Sequence, residues 1–109
     1  MLRDLIAKDP ITFKRLCEEH KVASLYAFGS SIHGPFHSNS DVDLVVDLRE
    51  SDPITFGSLM MDLWDELESF FGRRVDLLTL RSLKNPVMRD VIERTKVLIY
   101  DGDRAQVLV

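Results

Sequence analysis

The chain has 109 residues, 45 % of them hydrophobic, and 14 basic against 18 acidic side chains give a net charge of −4. That size fits one domain, residues 1–109, with one core, and the composition disfavours disorder. The single cysteine, Cys17, excludes an internal disulfide and a multi-cysteine zinc site.

No apolar stretch is long enough for a bilayer, and Met1-Leu2-Arg3-Asp4-Leu5 does not resemble a secretory signal, so the expected location is the cytoplasm. Local positive charge is confined to Arg73-Arg74 and the Arg81/Lys84/Arg89 group. Extensive nucleic-acid binding is therefore disfavoured.

Leu2, Leu5 and Ile6 suggest a short opening helix. A second is expected from about Pro10 to His20, capped by Asp9 with Pro10 at its first position. Ile11, Leu16 and Cys17 are assigned to its core face, and His20 to the surface. Ser24 to Phe28 reads as a strand ending at Gly29, and Val42 to Leu48 as a second. In the latter, Val42, Leu44 and Val46 share one face, while Asp41, Asp43, Val45 and Asp47 share the other.

Pro53 to Phe71 carries the clearest helical period, through Phe56, Leu59, Met60, Leu63, Trp64, Leu67, Phe70 and Phe71. Asp52-Pro53 starts it and Gly72 stops it. Met61 lies off the stripe, where an interface is one use for it. A third strand is expected over Val75 to Leu80. A last helix should run from Asn85-Pro86 to about Arg94, with Val87, Met88, Val91 and Ile92 inward. Val97 to Tyr100 reads as a final strand, and the apolar end Val107-Leu108-Val109 as frayed or docked on a partner. The order predicts an α/β (α+β) fold, with a single mixed sheet of about four strands flanked by helices.

Asp41 and Asp43 stand two apart on a strand, so their Cα atoms lie roughly 6.6 Å apart on one face. If the strand of Asp76 pairs alongside, a third carboxylate reaches the same place. Such anions about 5 Å apart repel by roughly 3 kcal/mol per pair at an effective dielectric near 20. A raised pKa or a bound dication offsets that cost, and oxygen-only ligands favour Mg²⁺ or Mn²⁺. Standing alone, an Asp-x-Asp pair is usually a solvated strand edge. Asp76, set among Val75, Leu77, Leu78 and Leu80, needs a partner.

Before the pair comes Gly29-Ser30-Ser31. Glycine allows close backbone approach, and the serines can open a short helix whose free N–H groups face phosphate. An ordinary strand-to-helix turn is the plain alternative. His33 is read evenly as a phosphate contact or a surface residue, His37 as surface, Cys17 as packed, and Asp47 as a strand-end cap.

Gly29-Ser30 followed by Ser40-Asp41-Val42-Asp43-Leu44, with Asp76 in Arg74-Val75-Asp76-Leu77-Leu78, resembles the nucleotidyltransferase superfamily of the DNA polymerase β type. Length and motif spacing look like its minimal members, with the motif core at about residues 22–100. The resemblance implies Mg²⁺-dependent transfer of AMP from ATP to a hydroxyl. Asp41, Asp43 and Asp76 would be the catalytic residues and hold two Mg²⁺ ions, or Mn²⁺ in their place. Gly29, Ser30, Ser31 and Ser40 would contact the nucleotide. Asp76 would serve the ion beside the acceptor and take its proton.

Many minimal members are antitoxins that modify a tyrosine of a HEPN-domain ribonuclease toxin, so a HEPN partner is the implied acceptor. His33 stands where such members often carry arginine, which bears on how triphosphate charge is neutralised. Two other functions stay open: a non-catalytic antitoxin acting by occlusion, and transfer to a small molecule or an RNA end.

Overall fold

The computed structural model describes residues 2–29, Ile32 and residues 41–108. The expected contacts of Ser30, Ser31, His33, His37 and Ser40 lie outside the described residues. Helices α1 (Leu2–Ala7) and α2 (Pro10–Glu19) precede strand β1 (Val22–Phe28), and β2 (Val42–Leu48) leads to the long helix α3 (Pro53–Phe71). Then follow β3 (Val75–Leu78), a 3₁₀ turn at Leu80–Ser82, α4 (Pro86–Thr95), β4 (Val97–Asp101) and β5 (Gln106–Val107). The strands form one mixed sheet in the order β3-β2-β1-β4-β5, with β2 and β3 parallel and the other pairs antiparallel.

Local chemistry sets the helix ends where the sequence puts them. Asp9 accepts from the Thr12 amide at 3.2 Å, and Asp52 from the Thr55 amide at 2.9 Å. Asn85 accepts from the amides of Val87 and Met88 at 3.0 and 3.3 Å. Each cap precedes a proline at the start of its helix, where the missing N–H costs nothing. Gly72 ends α3 in the left-handed region at φ 65°, as the Gly72 stop anticipates.

One sheet face is sealed by helices. Leu25, Ala27, Val42, Leu44, Val46, Val75 and Leu77 join Phe13, Leu16, Cys17, Leu63, Leu67 and Phe71 in a continuous core. Rings of Phe13, Phe70 and Phe71 lock α2 against α3, with centroids 5.2 to 6.1 Å apart. The opposite face carries Ser24, Tyr26 and Phe28 of β1. Their partners across β2 are Asp47, Val45 and Asp43.

Four expectations are corrected. Ile11 is 73 % exposed, and Phe13 takes the core position in α2, because the helix turns its second residue to solvent. His20 is buried rather than on the surface, with Nδ1 within 2.7 Å of the Leu16 carbonyl oxygen. That hydrogen bond lets an imidazole close the end of α2 without an unsatisfied polar group. In α4 only Ile92 is buried; Val87 is exposed, and Met88 and Val91 line an open apolar cleft with Phe28 and Gly29 that no described element fills. Finally, Gln106 and Val107 pair with β4 as a fifth strand, so most of the apolar tail docks on its own sheet. No helix among the described residues is long and apolar enough to cross a membrane.

Candidate active site

The expectation that Asp76 lies beside Asp43 becomes a register. In the parallel pair β2–β3, Val42 stands opposite Val75, Asp43 opposite Asp76 and Leu44 opposite Leu77. Residues in register on neighbouring strands project to one face, so both carboxylates emerge on the face the helices leave uncovered. Phe28, opposite Asp43 on the other flank, carries the chain into Gly29.

Gly29 takes φ +64°, and the chain turns at once, with the Ile32 amide donating to the Gly29 carbonyl at 3.1 Å. A Cβ at Gly29 would come within 2.7 Å of the Asp43 Oδ2. Glycine is thus demanded twice, by backbone conformation and by the carboxylate lying against it.

The Asp43 pKa is raised to about 6. Burial is the largest cause, followed by the charges of Asp76 and then Asp41, and a hydrogen bond with Asp76 adds to the rise. Asp41 stands at the mouth of β2. Its Oδ2 lies 4.0 Å from Nε of Arg74, a residue exposed on the neighbouring strand. Among the described residues no three His, Cys, Asp or Glu groups are gathered as a ready metal cage. The donor set nevertheless fits a hard dication. It is all carboxylate, and a cation would remove the charge repulsion that adds to the rise at Asp43.

Helix α3 fixes the edge strand that carries Asp76. The Trp64 indole N–H donates to the Val75 carbonyl at 2.6 Å, and the Val75 amide donates to the Glu68 carboxylate at 2.9 Å. Trp64 and Glu68 are four apart on α3, so one helix face holds both backbone groups that an edge strand leaves unpaired. In sequence Trp64 belongs to the apolar stripe of α3, and Glu68 carries no signal of its own. The i,i+4 spacing was readable, but nothing in it shows that the partners are backbone atoms of a strand.

A cleft of about 320 Å³ opens on the same sheet face, lined by Ser24, Tyr26, Val45, Val46, Asp47, Phe56, Thr79, Leu80, Arg81 and Lys96. Asp47, expected as a strand-end cap, is exposed at its rim. Cys17 is buried, and burial pushes its thiol up to about 12, which leaves it inert.

Fold and site together describe a protein that gathers carboxylates beside a glycine turn on an open sheet face. Residues 12–105 match the family Polymerase beta, Nucleotidyltransferase, and the chain belongs to that family. It is 37 % identical over 87 residues to a Methanocaldococcus jannaschii chain whose name marks it as a candidate protein adenylyltransferase, covering 80 % of this chain and 84 % of that one. It is 34 % identical over 79 residues to the protein adenylyltransferase MntA of Thermococcus cleftensis, covering 72 % of this chain and 77 % of the relative. A crystal structure of a toxin–antitoxin with AMP-PNP superposes with a TM-score of 0.64 at 25 % identity, covering 88 % of this chain and 76 % of that one.

Proposed function

We propose that this protein transfers AMP from ATP to a tyrosine hydroxyl of a HEPN-domain toxin, and so acts as the antitoxin of a cytoplasmic pair. The observation that carries the reading is the side-by-side placement of Asp43 and Asp76 with Gly29 closed against Asp43. Names of relatives support the acceptor class: MntA is a protein adenylyltransferase, and a solved structural neighbour is a toxin–antitoxin complex holding AMP-PNP.

Asp41, Asp43 and Asp76 would hold Mg²⁺, which when bound neutralises charge on the entering and leaving oxygens. Gly29 lets the backbone approach the β- and γ-phosphates, and the sequence pattern adds the hydroxyls of Ser30 and Ser31. The acceptor oxygen forms a bond to the α-phosphorus as the bond to the bridging oxygen breaks. Pyrophosphate leaves with that electron pair, and the hydroxyl proton passes to Asp76. A tyrosine hydroxyl, ordinarily near pKa 10, needs such a base or a nearby cation to attack at neutral pH.

The test is incubation with ATP labelled at the α-phosphate, Mg²⁺ and the HEPN protein of the same organism. Label on a tyrosine of the HEPN protein is expected. A tight complex that never acquires label would defeat the reading in favour of occlusion.

A further inference from the structure

We infer that the cleft between Tyr26, Phe56, Arg81 and Lys96 is the acceptor subsite, shaped for an aromatic hydroxyl side chain with an acidic neighbour on a partner protein. The inference rests on the transfer reaction proposed above and deepens it. Direction decides the assignment. Gly29 lies at one side of Asp43, and the strand pairing runs from Phe28 opposite Asp43 to Tyr26 opposite Val45 and Ser24 opposite Asp47. The cleft therefore begins one residue pair, roughly 7 Å, beyond the carboxylates on the side away from Gly29. In-line displacement requires the entering oxygen to approach opposite the leaving group. With pyrophosphate leaving toward Gly29, the acceptor comes from the Tyr26 side, where the cleft opens.

The lining says what it accepts. Its floor is apolar and aromatic, from Val45, Leu80, Tyr26 and Phe56. Two cations lie over its rings: the Lys96 Nζ stands 4.1 Å from the Tyr26 ring centre, and the Arg81 guanidinium carbon 5.4 Å from that of Phe56. Lys96 is already ion-paired with Glu93 at 3.1 Å, and Asp47 stands at the rim. Arg81 is exposed, and among the described residues it has no ion-pair partner. A guanidinium stacked on one ring keeps its other face and its N–H edge for an incoming ring and carboxylate. On a face otherwise rich in aspartate, this is the place where an acidic aromatic segment gains a contact instead of meeting repulsion.

Steady-state transfer of labelled AMP to the HEPN protein tests this with wild type, Arg81→Glu and Arg81→Lys, varying ATP and the HEPN protein separately. Arg81→Glu should raise the KM for the HEPN protein roughly tenfold to a hundredfold and leave the KM for ATP unchanged, with partial recovery in Arg81→Lys. A raised KM for ATP with an unchanged KM for the HEPN protein would reassign the cleft to the nucleoside and overturn the inference. Two unchanged KM values would overturn it as well. If circular dichroism shows that Arg81→Glu does not fold, Arg81→Met takes its place under the same criteria. Absence of label with wild type defeats the transfer reaction itself, and the subsite with it; label with wild type but no Arg81 effect defeats the subsite alone.

Discussion

Without bound cation the carboxylate cluster should lower the stability of this fold, and Asp43→Asn should raise it. Asp43 binds its proton with a pKa of about 6 in the folded chain, against 3.8 for an ordinary aspartate. The folded state therefore holds more protons than the unfolded state between about pH 4 and pH 6, and stability falls as pH rises through that window. A rise of this size corresponds to roughly 3 kcal/mol of disfavoured charge. The side chain is only half-buried, so solvent screening reduces the effect to about 1 kcal/mol. Asparagine keeps the shape and a hydrogen bond to Asp76 but carries no charge. In EDTA at pH 7 the variant should melt about 4 °C above wild type, and at pH 4 the two should coincide. Adding Mg²⁺ with a non-hydrolysable triphosphate should reverse the order, because only wild type gains full binding stabilisation. Scanning calorimetry under these three conditions decides the matter. A variant that melts at or below wild type in EDTA at pH 7 would show that the carboxylates are not crowded as the register implies.

Three further outcomes are expected. Asp76→Asn should lose at least about a thousandfold in transfer rate while its circular dichroism spectrum stays that of wild type, since the proposed base and ligand is removed from a position outside the sealed core. Gly29→Ala should cost about 1–2 kcal/mol in urea unfolding from the φ of +64°, and its Cβ should push Asp43 aside enough to weaken Mg²⁺–triphosphate binding in calorimetric titration. Trp64→Phe removes the donor to the Val75 carbonyl and should cost about 1 kcal/mol. Hydrogen exchange in that variant should quicken at β3 ahead of β1 and β2, and uniform exchange across the sheet would count against α3 as the clamp.

Much of the fold was legible because its signals are local. Proline and an amide or carboxylate cap fix each helix start in a few residues, and the bounds of β2 and α3 follow from period and punctuation alone. Residues whose environment is set by distant chain were harder. Val87, Met88 and Val91 have the spacing of a buried stripe, yet whether a stripe is buried depends on what lies opposite, and only Ile92 is covered. His20 looks polar in sequence, but the end of α2 supplies a carbonyl that makes its burial cheap. The candidate site divides the same way. The face shared by Asp41 and Asp43 follows from strand parity, whereas the parallel register that brings Asp76 abreast depends on a strand partner that no local pattern names. The Arg81–Phe56 and Lys96–Tyr26 stacks join residues 25 and 70 positions apart by their numbering, and no local pattern points to them.

The two sheet faces place stability and chemistry on opposite sides of the same strands. Alternate residues of β2 show this most directly: Leu44 joins the core under the helices, while Asp43 emerges beside Asp76. A one-residue slip of the edge strand β3 against β2 would push Asp76 into the core face and cost far more than the crowding of two carboxylates. The apolar alternation therefore enforces the register that crowds the aspartates. The clamp from Trp64 and Glu68 on Val75 holds the edge strand from the other side, so β3 cannot drift away to relieve the repulsion. Burial in the helix-covered layer thus offsets strain in the open layer. A cation that relieves the strain needs no rearrangement of the sheet, because Asp43 and Asp76 already emerge side by side on its open face.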